Sequence, residues 1–156
     1  MNVLQPKLKV LINRQDHFGR TPLHYACSKY YVKSVGLDED DGNMVKWIFG
    51  NFGSLIDCSL HDDDGYTPFL LAVKNEKYKA IQIFVDQKHP VNEQNSKTGE
   101  TALHIAAREG KQELLLFLLK LGIDASIIDH KGRTAIDTAL VYSNNDCFVV
   151  LLEKSD

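Results

Sequence analysis

Histidines, cysteines and carboxylates close together in the chain are the natural places to look for chemistry. His24 and Cys27 stand three residues apart, a spacing that brings them near each other on a helix and could pair a thiol nucleophile with a base. No third group that would orient the histidine accompanies them. His104 shares the Thr-x-Leu-His setting of His24 but has no cysteine three residues on. Two acidic runs, Asp38-Glu39-Asp40-Asp41 and His61-Asp62-Asp63-Asp64, could attract a cation. Neither has the alternating oxygen ligands and distant glutamate of a calcium loop, and His61 with the cysteines makes no zinc spacing. No glycine-rich phosphate loop joins a strand to a helix. The residues therefore predict no catalytic set, no metal site and no cofactor, and both acidic runs read as solvated surface.

The surrounding elements account for the histidines better than catalysis does. Gly99-Glu-Thr-Ala-Leu-His-Ile-Ala106 opens a short apolar-striped helix that breaks at Gly110, and a strongly apolar second helix follows and stops at Gly122. Gly19-Arg-Thr-Pro-Leu-His-Tyr-Ala26, Gly65-Tyr-Thr-Pro-Phe-Leu-Leu-Ala72 and Gly132-Arg-Thr-Ala-Ile-Asp-Thr-Ala139 repeat its opening in the same phase. The four glycines are separated by 46, 34 and 33 residues. Generic amphipathic hairpins share a 3.6-residue period but not this phase. Threonine suits the N-cap of each inner helix, and proline suits the first helical position, where an N–H has no partner to lose. Asp16, Asp62 and Asp129 each stand three residues before a glycine, the spacing of a turn closed by a side-chain carboxylate.

A period near 33 with Thr-Pro-Leu-His-x-Ala at constant phase resembles the ankyrin repeat. The resemblance covers about residues 13–153. It implies an all-α solenoid of stacked helix-turn-helix units with short β-hairpin finger loops. The units would run over 13–57, 58–92, 93–125 and 126–156, with residues 1–12 either a cap or the end of an upstream repeat. Pro6 is expected to interrupt a helix through that leading segment. The first unit departs most from the period. Ser34–Asn43 makes up most of a 13-residue excess and reads as a solvated insertion between its two helices. Leu70 and Asp137 stand where the motif has histidine, so two of the family's histidine ties between neighbouring repeats need replacing. Trp47 takes an outer-helix place usually filled by leucine.

In this family proteins are bound through finger tips and the exposed side of the inner helices. Carried onto this chain, the resemblance implies contact residues Phe18, Arg20, Asp63, Asp64, Tyr66, Lys97, Glu100, Lys131 and Arg133 at the fingers. It also implies Lys29, Lys74, Asn75, Arg108, Glu109 and Tyr142 at the ends of the inner helices. His17, Thr98 and His130 flank the finger positions, and Ser28 and Val141 the helix ends. Aromatic and arginine side chains bury much area with few rotors, which favours Phe18, Tyr66, Tyr142, Arg20, Arg108 and Arg133 as anchors. The acidic stretch Asp38, Glu39, Asp40 and Asp41 is a secondary candidate, suited to steering or holding a basic partner. Leu116 and Val149 are apolar at outer-helix places that usually carry charge, as a second contact or as cover for missing terminal repeats.

Composition sets the remaining bounds. The chain has 156 residues, 44% of them apolar, and a net charge of −3. Residues 1–33 carry +5, residues 34–64 carry −7 and residues 65–156 carry −1. The concentrated charge is acidic, so nucleic acid is not the expected partner. No apolar run reaches the ~20 residues that span a bilayer, and the first residues lack a signal-peptide pattern. Three widely spaced cysteines predict packed, reduced thiols in an intracellular protein. The expected function is a non-enzymatic adaptor, scaffold or inhibitor, monomeric by itself. The alternative is the targeting segment of a larger enzyme, such as a transferase or ubiquitin-ligase subunit.

Overall fold

Each inner helix begins where its threonine and the next residues dictate. In a computed structural model that describes residues 4–29 and 42–155, Thr21 is the extended N-cap of α2 (Pro22–Ala26), with Pro22 at the first helical position. Thr67 does the same for α4 (Pro68–Lys74), where its hydroxyl accepts the Leu70 N–H at 3.2 Å. Thr101 heads α6 (Ala102–Arg108) and Thr134 heads α8 (Ala135–Val141). The acidic stretch Asp38–Asp41 lies outside the described residues. The outer helices are α3 (Asn43–Phe52), α5 (Tyr78–Asp86), α7 (Gln112–Lys120) and α9 (Asn145–Lys154). Each presents an apolar stripe at helical spacing, such as Ala80, Ile81 and Phe84 in α5 or Leu114, Leu115 and Leu118 in α7. The protein is all-α, as expected. Among the described residues no strand forms, because paired fingers exchange too few backbone bonds to make a ladder.

The leading segment corrects one expectation. Leu4–Ile12 forms a helix, α1, with Pro6 inside it. Pro6 is the third helical residue, where the backbone N–H would have no intrahelical acceptor, so proline breaks no bond.

Two compact units divide the chain, Met1–His89 and Pro90–Asp156. In the first, α2 packs against α3 and α4, and α3 and α4 both pack against α5. Its centre is aromatic: Phe84 meets Phe49 edge-on at 5.2 Å and Phe69 at 5.7 Å. In the second, α6 packs on α7 and α8, and α9 on α7 and α8. There the centre is aliphatic, with Leu103, Ile105, Leu114, Leu115 and Leu118 buried. Trp47 is 55% exposed, so it is not the core substitute for leucine that its place suggests. Cys27 and Cys147 are buried, while Cys58 is half-buried, and none of the three is in a disulfide. Cys58 thus departs from the packed setting expected of it.

Candidate interaction surface

The fingers are built on one device used repeatedly. Asp16 Oδ1 accepts the N–H groups of Phe18 and Arg20, both at 2.9 Å. Asp62 Oδ1 accepts those of Asp64 and Tyr66 at 3.0 and 2.9 Å. Asp129 Oδ1 accepts those of Lys131 and Arg133 at 2.8 and 3.0 Å. In the remaining finger Asn95 takes the place of aspartate and accepts from Lys97 and Thr98 at 2.9 and 3.1 Å. Adjacent fingers then join tip to tip, with Asp63 N–H donating to Phe18 O and His130 N–H to Thr98 O, each at 2.9 Å. Gly99, at φ +71, lies so close to the next finger that an added Cβ would come within 2.6 Å of the His130 nitrogen.

The two motif histidines are spent inside the fold. His24 Nδ1 accepts the Thr21 N–H at 3.1 Å, which leaves its Nε2 proton to donate to Tyr66 O at 3.0 Å. His104 repeats this with the Thr101 N–H at 3.2 Å and Arg133 O at 2.8 Å. Each ring thus caps its own helix and holds the following finger. Burial pushes the His24 pKa down, against the Tyr66 carbonyl, which favours the protonated ring. With both nitrogens occupied and Cys27 fully buried, the His24–Cys27 pair presents nothing to a substrate. Asp137 keeps half of the device. Its carboxylate accepts the Thr134 N–H at 2.9 Å and the Thr134 hydroxyl at 2.7 Å, and these bonds hold its pKa below the usual range. Leu70 is fully buried, so packing replaces the polar tie there.

A second set of ties is absent from the sequence reading. Asn13 donates to Leu55 O at 2.7 Å and accepts the Asp57 N–H at 2.8 Å. Gln15 donates to Gly19 O at 2.7 Å and His61 O at 2.9 Å. Asn92 accepts the Asp124 N–H at 2.9 Å, and Gln94 donates to Gly99 O and Ile128 O at 2.7 and 2.9 Å. The signal was legible. Asn-x-Gln stands directly ahead of the capping Asp16 and Asn95 in both places. Asn144 adds a tie of its own, donating to Ala107 O and Arg108 O at 2.7 and 2.9 Å.

Several expected contact residues are buried or bonded within the fold. Tyr66 is 8% exposed and lies beneath the Lys74 ammonium, 4.4 Å from its ring centroid. The finger folds its side chain inward, so it is not an exposed anchor. Glu100 is buried beside Arg108 at 2.9 Å, and Arg108 also reaches Glu109 at 3.3 Å. Asn75 donates to Cys27 O at 2.9 Å. Ser28 is buried as well.

Arginine is used differently in the two units. Arg133 binds Asp129 Oδ2 through Nε at 2.9 Å and Nη2 at 2.6 Å. Burial pushes the Asp129 carboxyl up, but these bonds and the backbone donors outweigh it and hold its pKa at about 2. In the first unit Tyr25 donates to the Asp16 carboxylate instead, and this bond, chief among several, puts the Asp16 pKa at about 2. Arg20 then turns to the neighbouring finger, 3.4 Å from Asp62 and 3.9 Å from Asp64.

Two sets of candidates remain at the surface. In the first unit these are Phe18, 52% exposed with its ring 4.0 Å from that of His17, then Lys29, Asp63 and Asp64. In the second they are Lys97, Lys131, Glu109 and Tyr142, the last 48% exposed, with His130 and Val141 nearby in sequence. Among the described residues, no group of three histidine, cysteine or acidic side chains could hold a metal, and no helix is long and apolar enough to cross a membrane.

Paired helices, fingers closed by Asp or Asn side chains and a threonine–histidine tie between neighbours define a helical repeat protein. Comparison with known proteins fixes the class. The family profile of ankyrin repeats, in three copies, matches residues 37–129 and 89–156. The chain is 30% identical over 157 residues to the neurogenic locus notch homolog protein 1 of Rattus norvegicus and 29% identical to that of Homo sapiens, covering 92% of this chain in each case. It is also 32% identical over 97 residues to the ankyrin repeat and SAM domain-containing protein 6 of Rattus norvegicus, 62% of this chain. The chain belongs to the ankyrin-repeat family. It spans about 6% of the length of the notch homologs and 11% of the other relative.

Proposed function

We propose that this chain is a non-enzymatic adaptor, scaffold or inhibitor that binds a partner protein through its finger tips and inner-helix ends. One observation carries this reading: the motif residues of the repeat are consumed by internal bonds, whereas Phe18, Asp63, Lys97, Lys131 and Tyr142 are left exposed at finger and helix-end positions. Ankyrin repeats are protein-interaction modules, and these exposed side chains are what this one offers. The first unit presents an aromatic and acidic set, and the second a basic set with an aromatic edge. A partner with a basic segment suits the former. Three widely spaced cysteines, none in a disulfide, support an intracellular setting.

The test is affinity purification of a bound protein, followed by Phe18→Ala with Asp63→Lys in the first unit and Lys131→Glu with Tyr142→Ala in the second. Capture should fall at least about tenfold for one pair or both, as expected for hot-spot loss, with helicity unchanged. Undiminished capture by both variants would remove the finger surface from consideration. A second reading makes the same surface the targeting segment of a larger enzyme. In the relatives the matched stretch is a small part of a longer protein. A natural reading frame without a catalytic domain would eliminate it.

A further inference from the structure

Two apolar stripes stand on helices, one in each unit. On α1, Leu4, Leu8 and Leu11 recur at i, i+4 and i+7 and are 62%, 38% and 58% exposed. Every residue from Leu4 to Leu11 is exposed. In the second unit, Leu140 of α8 is 62% exposed, and Val149 and Leu152 of α9 are 49% and 48% exposed. Leu140 holds the place in α8 that Ala107 holds in α6. Ala107 is fully buried, and its carbonyl accepts from Asn144. At the same place in the repeat, Leu140 is 62% exposed.

Charge distinguishes the two stripes. α1 carries Lys7 and Lys9 and no acid, with Arg14 just beyond its end. Asp57 is the acid close enough to Lys9 for its carboxyl to feel that charge. α8 and α9 carry Asp137, Asp146 and Glu153 against Lys154. An apolar stripe flanked by +2 thus matches an apolar stripe flanked by −2, each able to cover the other.

We infer that the chain associates with a second copy of itself head to tail, the α1 stripe of one copy covering the α8–α9 stripe of the next. The monomer expected from the sequence is the concentration limit of this equilibrium. Because the two surfaces differ, the contact is heterologous, and successive copies build a closed ring or an open chain. The fingers take no part, so variants at Phe18 or Lys131 leave association unchanged.

Sedimentation velocity on the full chain from ~1 µM to ~1 mM covers the affinities of small interfaces. The weight-average mass should rise with concentration and fall back at ~0.5 M salt, where the flanking charges are screened. Leu4→Gln with Leu8→Gln and, separately, Val149→Gln with Leu152→Gln change only exposed side chains and should each give monomers of unaltered helicity. Mixing these two variants is the decisive arm. One retains the α8–α9 stripe and the other retains α1, so the mixture should form dimers and nothing larger. A wild-type monomer at every concentration overturns the proposal and assigns the stripes to cover within a longer chain or to another protein. Self-association in which the mixed variants fail to pair overturns it in favour of a symmetric contact.

Discussion

The two units use the same backbone device with different side chains. In Met1–His89 the centre is a set of edge-on phenylalanines, and in Pro90–Asp156 it is leucine and isoleucine. Arg133 closes on the aspartate of its own finger, whereas Tyr25 occupies the equivalent carboxylate and sends Arg20 to the next finger. What stays constant is the accounting for backbone N–H groups by an Asp or Asn in every finger. Side-chain chemistry can vary freely only around that fixed requirement, and this is where each unit acquires its own surface.

The largest effect that could break the comparison lies in the outer helices. Leu118→Ala removes a fully buried side chain and should cost about 3 kcal/mol by chemical denaturation. Trp47→Ala in the first unit removes a side chain that is 55% exposed and should cost under ~1 kcal/mol. Equal losses would mean that exposure does not rank the two outer helices.

Next comes Arg133→Ala, which leaves the buried Asp129 carboxylate without its two charged donors and should cost about 1–3 kcal/mol. Arg20→Ala leaves Asp62 with its backbone donors and loses only a longer contact, and should cost less than ~1 kcal/mol. A denaturant midpoint that moves further for Arg20 than for Arg133 would reverse this reading of the two fingers.

The first unit also carries a testable pH response. Folding lowers the His24 pKa below its ordinary 6.5, so near that pH the unfolded chain binds the proton more readily. Stability from neutral His24 is therefore complete above ~6.5 and declines as pH falls below it. Midpoints at pH 7.5 and 5.5 should differ less in His24→Gln than in the wild type. An identical pH slope in the variant would show that His24 does not contribute. Asp16 and Asp129 add a separate decline, between their ordinary 3.8 and about 2, as their carboxylates take up protons.

The smallest effect concerns helix exits. Lys88 ends α5 at φ +59, the place where Gly122 ends α7 at φ +79. Lys88→Gly relieves a left-handed lysine and should stabilise by about 0.5–1 kcal/mol, measurable as a raised midpoint. A lowered midpoint would show that the lysine stem contributes more than its backbone costs.

The fold was legible because its rules are local. Thr-Pro-Leu-His specifies a capped helix within four residues, and its phase repeats along the chain. The second role of His24 and His104 was legible only through the family resemblance, since each acceptor carbonyl lies in the following finger. Exposure was harder to read. Tyr66 looks like a finger-tip aromatic by position, yet the turn directs it under Lys74. Glu100 and Asn75 look like surface groups, yet each meets a partner whose nearness depends on how helices stack. Pro6 misled because the rule against proline applies to helix interiors, and the start of α1 was not marked by a cap.

The glutamines at the finger bases carry a consequence for motion. Gln15 grips carbonyls of two successive fingers, and Gln94 does the same for the next pair. A finger held this way cannot peel off alone without breaking its neighbour's bond. Amide hydrogens of Asp63 and His130 should therefore exchange in one cooperative opening with the fingers they join, not by independent fraying. Gln94→Ala would uncouple the pair, so the His130 amide would exchange faster while the α7 amides kept their protection.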